Sequence, residues 1–149
     1  MLDKKSLKIL KILQEKARIP NTEVARQVNL APSAALERIR KMENQGVIDG
    51  YEVRLNPTRF SRDQVAFILV STHPSHVTTV GPQISSIEDV QEVHYTAGED
   101  SYLVKIRVAD TKELNTILLH KIHTIDGVTS TKTLTVLATF KETARFPIR

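Results

Sequence analysis

The chain has 149 residues, 40% hydrophobic and 26% charged, with no cysteine. This is ordinary globular usage, which excludes disordered and collagen-like classes, and it leaves no disulfide framework, thiolate metal site or cysteine nucleophile. No apolar run approaches the ~18 residues of a membrane span, and the lysines near the start leave no signal-peptide core, so a cytoplasmic protein is expected. The net charge of +4 lies wholly in the first third: residues 1–50 carry ten Lys/Arg against six Asp/Glu, and the rest balances eleven against eleven. Such asymmetry suggests that one end meets a polyanion.

Residues 3–17 read as a helix. Asp3 or Ser6 can cap it, and Leu7, Ile9, Leu10, Ile12 and Leu13 form an apolar stripe near the 3.6 period. Arg18-Ile19-Pro20 breaks it. Asn21 then serves as N-cap for a second helix, Thr22–Val28, with Val24, Ala25 and Val28 inward. Asn29 suits a left-handed helix end, and Pro32 suits the first turn of a third helix that reaches Gln45, with Gly46 just beyond. Val47–Leu55 reads as a turn and short strand, and Asn56–Asp63 as a linker. The expected organisation is a helical domain over 1–50, a hinge strand and linker over 51–63, and a second domain over 64–149.

The second half alternates strand and helix. Val65–Ser71 is a strand apolar on both faces. Residues 75–87 read as a helix interrupted by Gly81-Pro82. Strands follow at Val90–Ala97 and Ser101–Ala109. Asp110 and Glu113 have the spacing of a capping box, opening a helix with Leu114, Ile117, Leu118 and Ile122 on one face. Val128–Phe140 reads as a long closing strand with Leu134, Val136, Ala138 and Phe140 in phase. The order βαββαβ predicts an α+β chain whose second domain is a four-stranded sheet with helices on one face. A strand apolar on both sides needs cover on the open face, and a second copy of the chain is the simplest cover.

Around the third helix, about 100° per residue places Ala35, Ile39 and Met42 in one stripe and Ser33, Ala34, Glu37, Arg40 and Lys41 opposite, with Leu36 and Arg38 on the flanks. A helix entering the DNA major groove needs short or polar residues in its N-terminal half and cations toward its rims. Arg40 and Lys41 can pair with guanine edges or with phosphates, and Arg38 with a phosphate. Glu37 can accept from cytosine or repel a wrong register, and Leu36 can touch a thymine methyl or join the core. Double-stranded DNA is the expected partner, although helical triplets of this kind also serve as protein-interaction modules.

The segments Leu2-Asp3, Ile9-Leu10, Ala17-Arg18-Ile19, Glu23-Val24-Ala25, Leu30-Ala31-Pro32, Arg38-Ile39, Met42-Glu43, Gly46-Val47-Ile48 and Gly50-Tyr51 resemble the N-terminal domain of the Lrp/AsnC (feast/famine) transcriptional regulators. Val93 and the run Thr96–Lys105 resemble that family's effector-sensing and oligomerisation domain. The resemblance implies a winged helix-turn-helix joined by a hinge strand to a ferredoxin-like αβ-sandwich. It implies dimers that assemble into octamers or similar discs, and an amino acid or related effector. The effector loop it implies is Gly98, Glu99, Asp100, Ser101 and Tyr102. Ser101 stands where the family usually has Asp, Ala31 where it has Ser, Asn29 where it has Gly, and Ser6 where it has Asp.

Other chemistries find little support. The five glycines are too scattered for a phosphate-cradling loop. The pairs His73/His76 and His120/His123 have a spacing that zinc could use, but surface histidines explain them as well, so neither metal nor cofactor is expected. An RNA-binding sheet would need aromatics on its third strand, and Tyr102 is alone there. A small-molecule enzyme on the same scaffold, of the sirohaem decarboxylase type, would use His94, His120 and His123. No catalytic residue is assigned.

Overall fold

A computed structural model describes residues 2–98 and 102–149, in two units. One runs to Arg54 and takes in Glu142–Arg149; the other is Leu55–Lys141. The last eight residues thus group with the helical unit, whereas the sequence suggested that they close the second domain. Gln14 donates to the Phe146 carbonyl (3.0 Å) and Arg145 to the Glu15 carbonyl (3.1 Å), and that long-range pairing has no local sequence signal.

The first unit is built from α1 (Lys4–Glu15), α2 (Asn21–Gln27) and α3 (Pro32–Asn44). Asp3 caps α1, accepting from the Ser6 N–H at 2.8 Å. Ile9 and Leu13 of α1, Val24 and Val28 of α2, and Ile39 and Met42 of α3 bury one another in a single cluster. Each fully buried side chain of this size contributes about 1.5–3 kcal/mol of transfer free energy. Asn21 is the first residue of α2 rather than its cap. Pro20 holds the N-cap position, and its carbonyl receives Glu23 and Val24 N–H groups at 2.9 and 3.1 Å, so the helix starts one residue early. No strand forms between Val47 and Leu55: residues 51–56 make no ladder, because a strand needs a neighbour and the single chain supplies none there.

The second unit is a four-stranded antiparallel sheet of β1 (Gln64–Thr72), β2 (Val90–Tyr95), β3 (Tyr102–Val108) and β4 (Val128–Thr135), in the order β2-β3-β1-β4. Helices α4 (Val77–Ser85) and α5 (Thr111–Ile117) cover one face, where Ala66, Ile68, Val70, Val104, Ile106 and Val108 are fully buried against Val80, Ile84, Leu114 and Ile117. Gly81-Pro82 does not break α4. The aromatic ring of Tyr102 lies 2.8 Å from where a Gly81 Cβ would be, so the glycine is a packing requirement. Asp110 caps α5 and Glu113 reaches back to the Ala109 N–H at 2.6 Å while receiving Arg62 at 2.7 Å. The helix continues through a π-turn at Leu118–Ile122.

The other sheet face carries Val65, Phe67 and Leu69 of β1, Leu103 of β3 and Leu134 of β4. At its centre Lys105, 8% exposed, donates to Glu92 at 3.1 Å. The closing strand is shorter than expected. Val136 still donates to the Val65 carbonyl, but β1 begins at Gln64 and offers no further partner, so Leu137 and Phe140 are 99% exposed. Register also assigns its faces: Leu134 sits opposite Phe67 on the open side, and Thr131, Thr133 and Thr135 face the helices.

Candidate nucleic-acid interface

The turn between α2 and α3 closes as a Schellman motif. Asn29 takes the left-handed conformation (φ 52°), the Leu30 N–H reaches the Ala25 carbonyl at 2.9 Å, and Asn29 donates to Arg26 at 3.3 Å. The same geometry ends α3, with Gly46 at φ 67° and the Val47 N–H on the Met42 carbonyl at 2.8 Å. Helix α3 is therefore bounded at both ends by tight turns. It opens on Pro32, after an Ala31 that supplies no side-chain cap.

Ala35, Ile39 and Met42 anchor α3 in the core. Ser33, Glu37, Arg40 and Lys41 are exposed on the opposite side, as the helical period predicts, and Ala34 is half-buried at their edge. Asn44 belongs to the same exposed arc. The sequence reading missed it, although 100° per residue places it between Ser33 and Glu37. A depression lies on each flank of the helix. One, of about 250 Å³, is lined by Leu36, Ile39, Arg40 and Glu43 together with Tyr51 and Leu13. The other, of about 760 Å³, is lined by Ala34, Glu37, Arg38 and Lys41 together with Leu2, Asp3 and Val47. Helix α3 thus stands as a ridge crested by Ser33 and Asn44, with a cation on each slope.

The cations differ in freedom. Arg40 and Lys41 have no ion pair among the described residues, whereas Arg26 is held by Glu23 at 2.7 Å. Arg38 is tied into the unit, donating to Asp3 at 2.7 Å and to the Ser6 hydroxyl at 3.1 Å. The Ser6 N–H and hydroxyl, and then Arg38, pull the Asp3 carboxyl down to about 2. On the other slope, burial and a 2.8 Å hydrogen bond to Glu43 push the Tyr51 phenol up to about 12, so it stays a neutral donor.

Of the loop residues the sequence pointed to, Glu99, Asp100 and Ser101 lie outside the described residues. Gly98 is exposed. Tyr102 is a core residue, 6% exposed, with its hydroxyl donating to the Val77 carbonyl and its ring 5.5 Å from that of Tyr95. The histidines weighed for enzymology have separate partners: His94 pairs with Glu92 (3.1 Å) and His123 with Thr131 (2.7 Å), while His120 is exposed. Among the described residues no group of three or more His, Asp or Glu could hold a metal ion, and no helix is long and apolar enough to cross a membrane.

Comparison with known proteins gives the pattern of winged helix-turn-helix DNA-binding domains over residues 2–49 and that of the Lrp/AsnC ligand binding domain over residues 65–146. The chain belongs to the Lrp/AsnC family of transcriptional regulators. It is 36% identical over 148 residues to the HTH-type transcriptional regulator FL11 of Pyrococcus abyssi, covering 99% of this chain and 97% of that protein. It is 32% identical over 151 residues to the leucine-responsive regulatory protein of Escherichia coli K12, covering 99% and 92%. Among solved structures it is similar to a Neisseria meningitidis transcriptional regulator in complex with L-Met (TM-score 0.93, 28% identity, 99% and 97% covered). It is also similar to the Mycobacterium tuberculosis leucine response regulatory protein LrpA (TM-score 0.85, 31% identity, 99% and 100% covered). As an Lrp/AsnC regulator it pairs a DNA-binding helix-turn-helix with a ligand-binding domain, and α3 lies within the helix-turn-helix segment.

Proposed function

We propose that this Lrp/AsnC regulator reads specific operator sequences with α3. Ser33, Ala34 and Glu37 meet base edges, and Arg40 and Lys41 meet the phosphates bordering the groove. The observation that carries this is the pair of unpaired cations on opposite slopes of one exposed ridge. Arg38, by contrast, positions α3 through Asp3. Two copies meet through the open sheet face, whose apolar row of Phe67, Leu69, Leu103 and Leu134 calls for cover, and each dimer favours pseudo-palindromic sites. Higher assemblies up to an octamer follow the family pattern. The loop from Gly98 to Tyr102 contributes to an effector site for an amino acid or related molecule, supported by the L-Met complex of the Neisseria meningitidis neighbour. The protein acts in the cytoplasm, where its DNA is, and by regulation rather than catalysis, as the names of its relatives suggest.

The experiment is a titration of genomic fragments at rising salt. Affinity should fall steeply, and Lys41→Ala should reduce the log–log slope by about one unit. Salt-independent retention, or none at all, would refute the reading.

A further inference from the structure

Helix α1 carries a lysine-dense outer surface. Asp3 at its N-cap and Lys16 at its C-cap suit the helix dipole, but Lys4 and Lys5 in the first turn and Glu15 in the last oppose it. Lys4 and Lys8 stand four residues apart, and Lys8 stands three from both Lys5 and Lys11, so three like-charged pairs repel along one surface. All four lysines are exposed, and among the described residues none has an ion pair; Lys5 alone is engaged, with the Asn29 carbonyl at 3.3 Å. At 100° per residue, Lys4, Lys8 and Lys11 fall within an arc of about 60° directly opposite buried Ser6 and Leu13, and they span about 10 Å of the helix axis. A local arrangement that opposes folding marks a functional surface, and a row of unpaired ammoniums is complementary to a polyanion.

This row is separate from the α3 ridge. Ile9 and Leu13 of α1 and Ile39 and Met42 of α3 point into one cluster, so the outward faces of the two helices diverge. A duplex centred on the α3 ridge is therefore centred on a different face from this row. We propose that Lys4, Lys8 and Lys11 form a second, sequence-independent DNA contact that holds the phosphates of a duplex segment other than the one α3 reads. The proposal rests on the DNA-binding reading above.

The test compares the wild type with the Lys4→Gln/Lys8→Gln/Lys11→Gln variant on two duplexes: a long genomic fragment that the wild type retains, and the shortest sub-fragment that keeps its protected site. The variant should bind the short duplex with unchanged affinity and salt slope. On the long duplex it should bind on the order of tenfold more weakly, with a slope reduced by about 2–3 units, each phosphate contributing about 0.9. Its Tm should equal or exceed that of the wild type, because three repelling pairs are gone. Equal losses on both duplexes would put the lysines on the segment α3 reads and overturn the proposal. So would no loss on either, or a loss confined to phosphatidylserine vesicles, which would make the partner a lipid surface. Failure of the wild type itself to bind either duplex would instead remove the DNA-binding reading on which the proposal stands.

Discussion

Arg38 of α3 donates at 2.7 Å to one carboxylate oxygen of Asp3 while the other caps the start of α1, so a single side chain opens the first helix and holds the third. If Arg38 positions the recognition ridge, Arg38→Ala will weaken operator binding without changing its salt slope, because no phosphate contact is lost. Arg40→Ala will reduce the slope by about one unit. Equilibrium titration at four or five salt concentrations separates the two, and a shallower slope for Arg38→Ala would make Arg38 a phosphate ligand.

The same carboxylate has a predictable pH signature. Its folded value of about 2 lies below the ordinary 3.8, so its stabilising contribution is complete above about pH 4 and is lost as pH falls toward 2. Glu23, held near 2 by Arg26 and Gln27, loses its contribution over a window that opens slightly higher, from its ordinary 4.5. Asp3→Asn keeps an oxygen for the cap and removes the charge. Its Tm profile between pH 4 and 2 should therefore be flatter than that of the wild type. Superimposable profiles would show that the Asp3 carboxylate, held by Ser6 and Arg38, contributes no pH-dependent stability.

Ala31 occupies the N-cap of α3 with extended backbone (φ −64°, ψ 146°) and no side-chain acceptor. Ala31→Ser supplies one in a conformation already suited to it. Chemical denaturation should show a gain of about 1 kcal/mol at an unchanged m-value.

Leu134 is 49% exposed in the single chain and lies on the open sheet face. Leu134→Glu should leave monomer stability within about 0.5 kcal/mol, as ordinary surface substitutions do. Light scattering should nonetheless show the proposed dimer dissociating, because assembly would bury an unpaired carboxylate. A variant that stays fully dimeric would place the interface elsewhere.

Elements whose signals are local were legible in the sequence. Asn29 and Gly46 announce their turns, Asp110 and Glu113 their capping box, and the 100° period of α3 sorts its buried stripe from its exposed one. What escaped depends on partners distant in sequence. Arg38 looks like a free cation until Asp3, 35 residues upstream, is brought beside it, and the Tyr102 hydroxyl has no partner in view until the Val77 carbonyl, 25 residues away, meets it. The end of β4 depends on where β1 begins, and the phase of Leu134, Val136, Ala138 and Phe140 does not say which face of the sheet they share.

The Lys105–Glu92 pair sets a condition on any chain that covers the open sheet face. A chain that docks over this ammonium must leave the Glu92 carboxylate in reach or bring an acid of its own, because an uncompensated buried charge costs several kcal/mol. A relative presenting arginine at that point would be turned away. If two copies meet through this face as proposed, the ion pair lies within their contact and restricts which chains can share it.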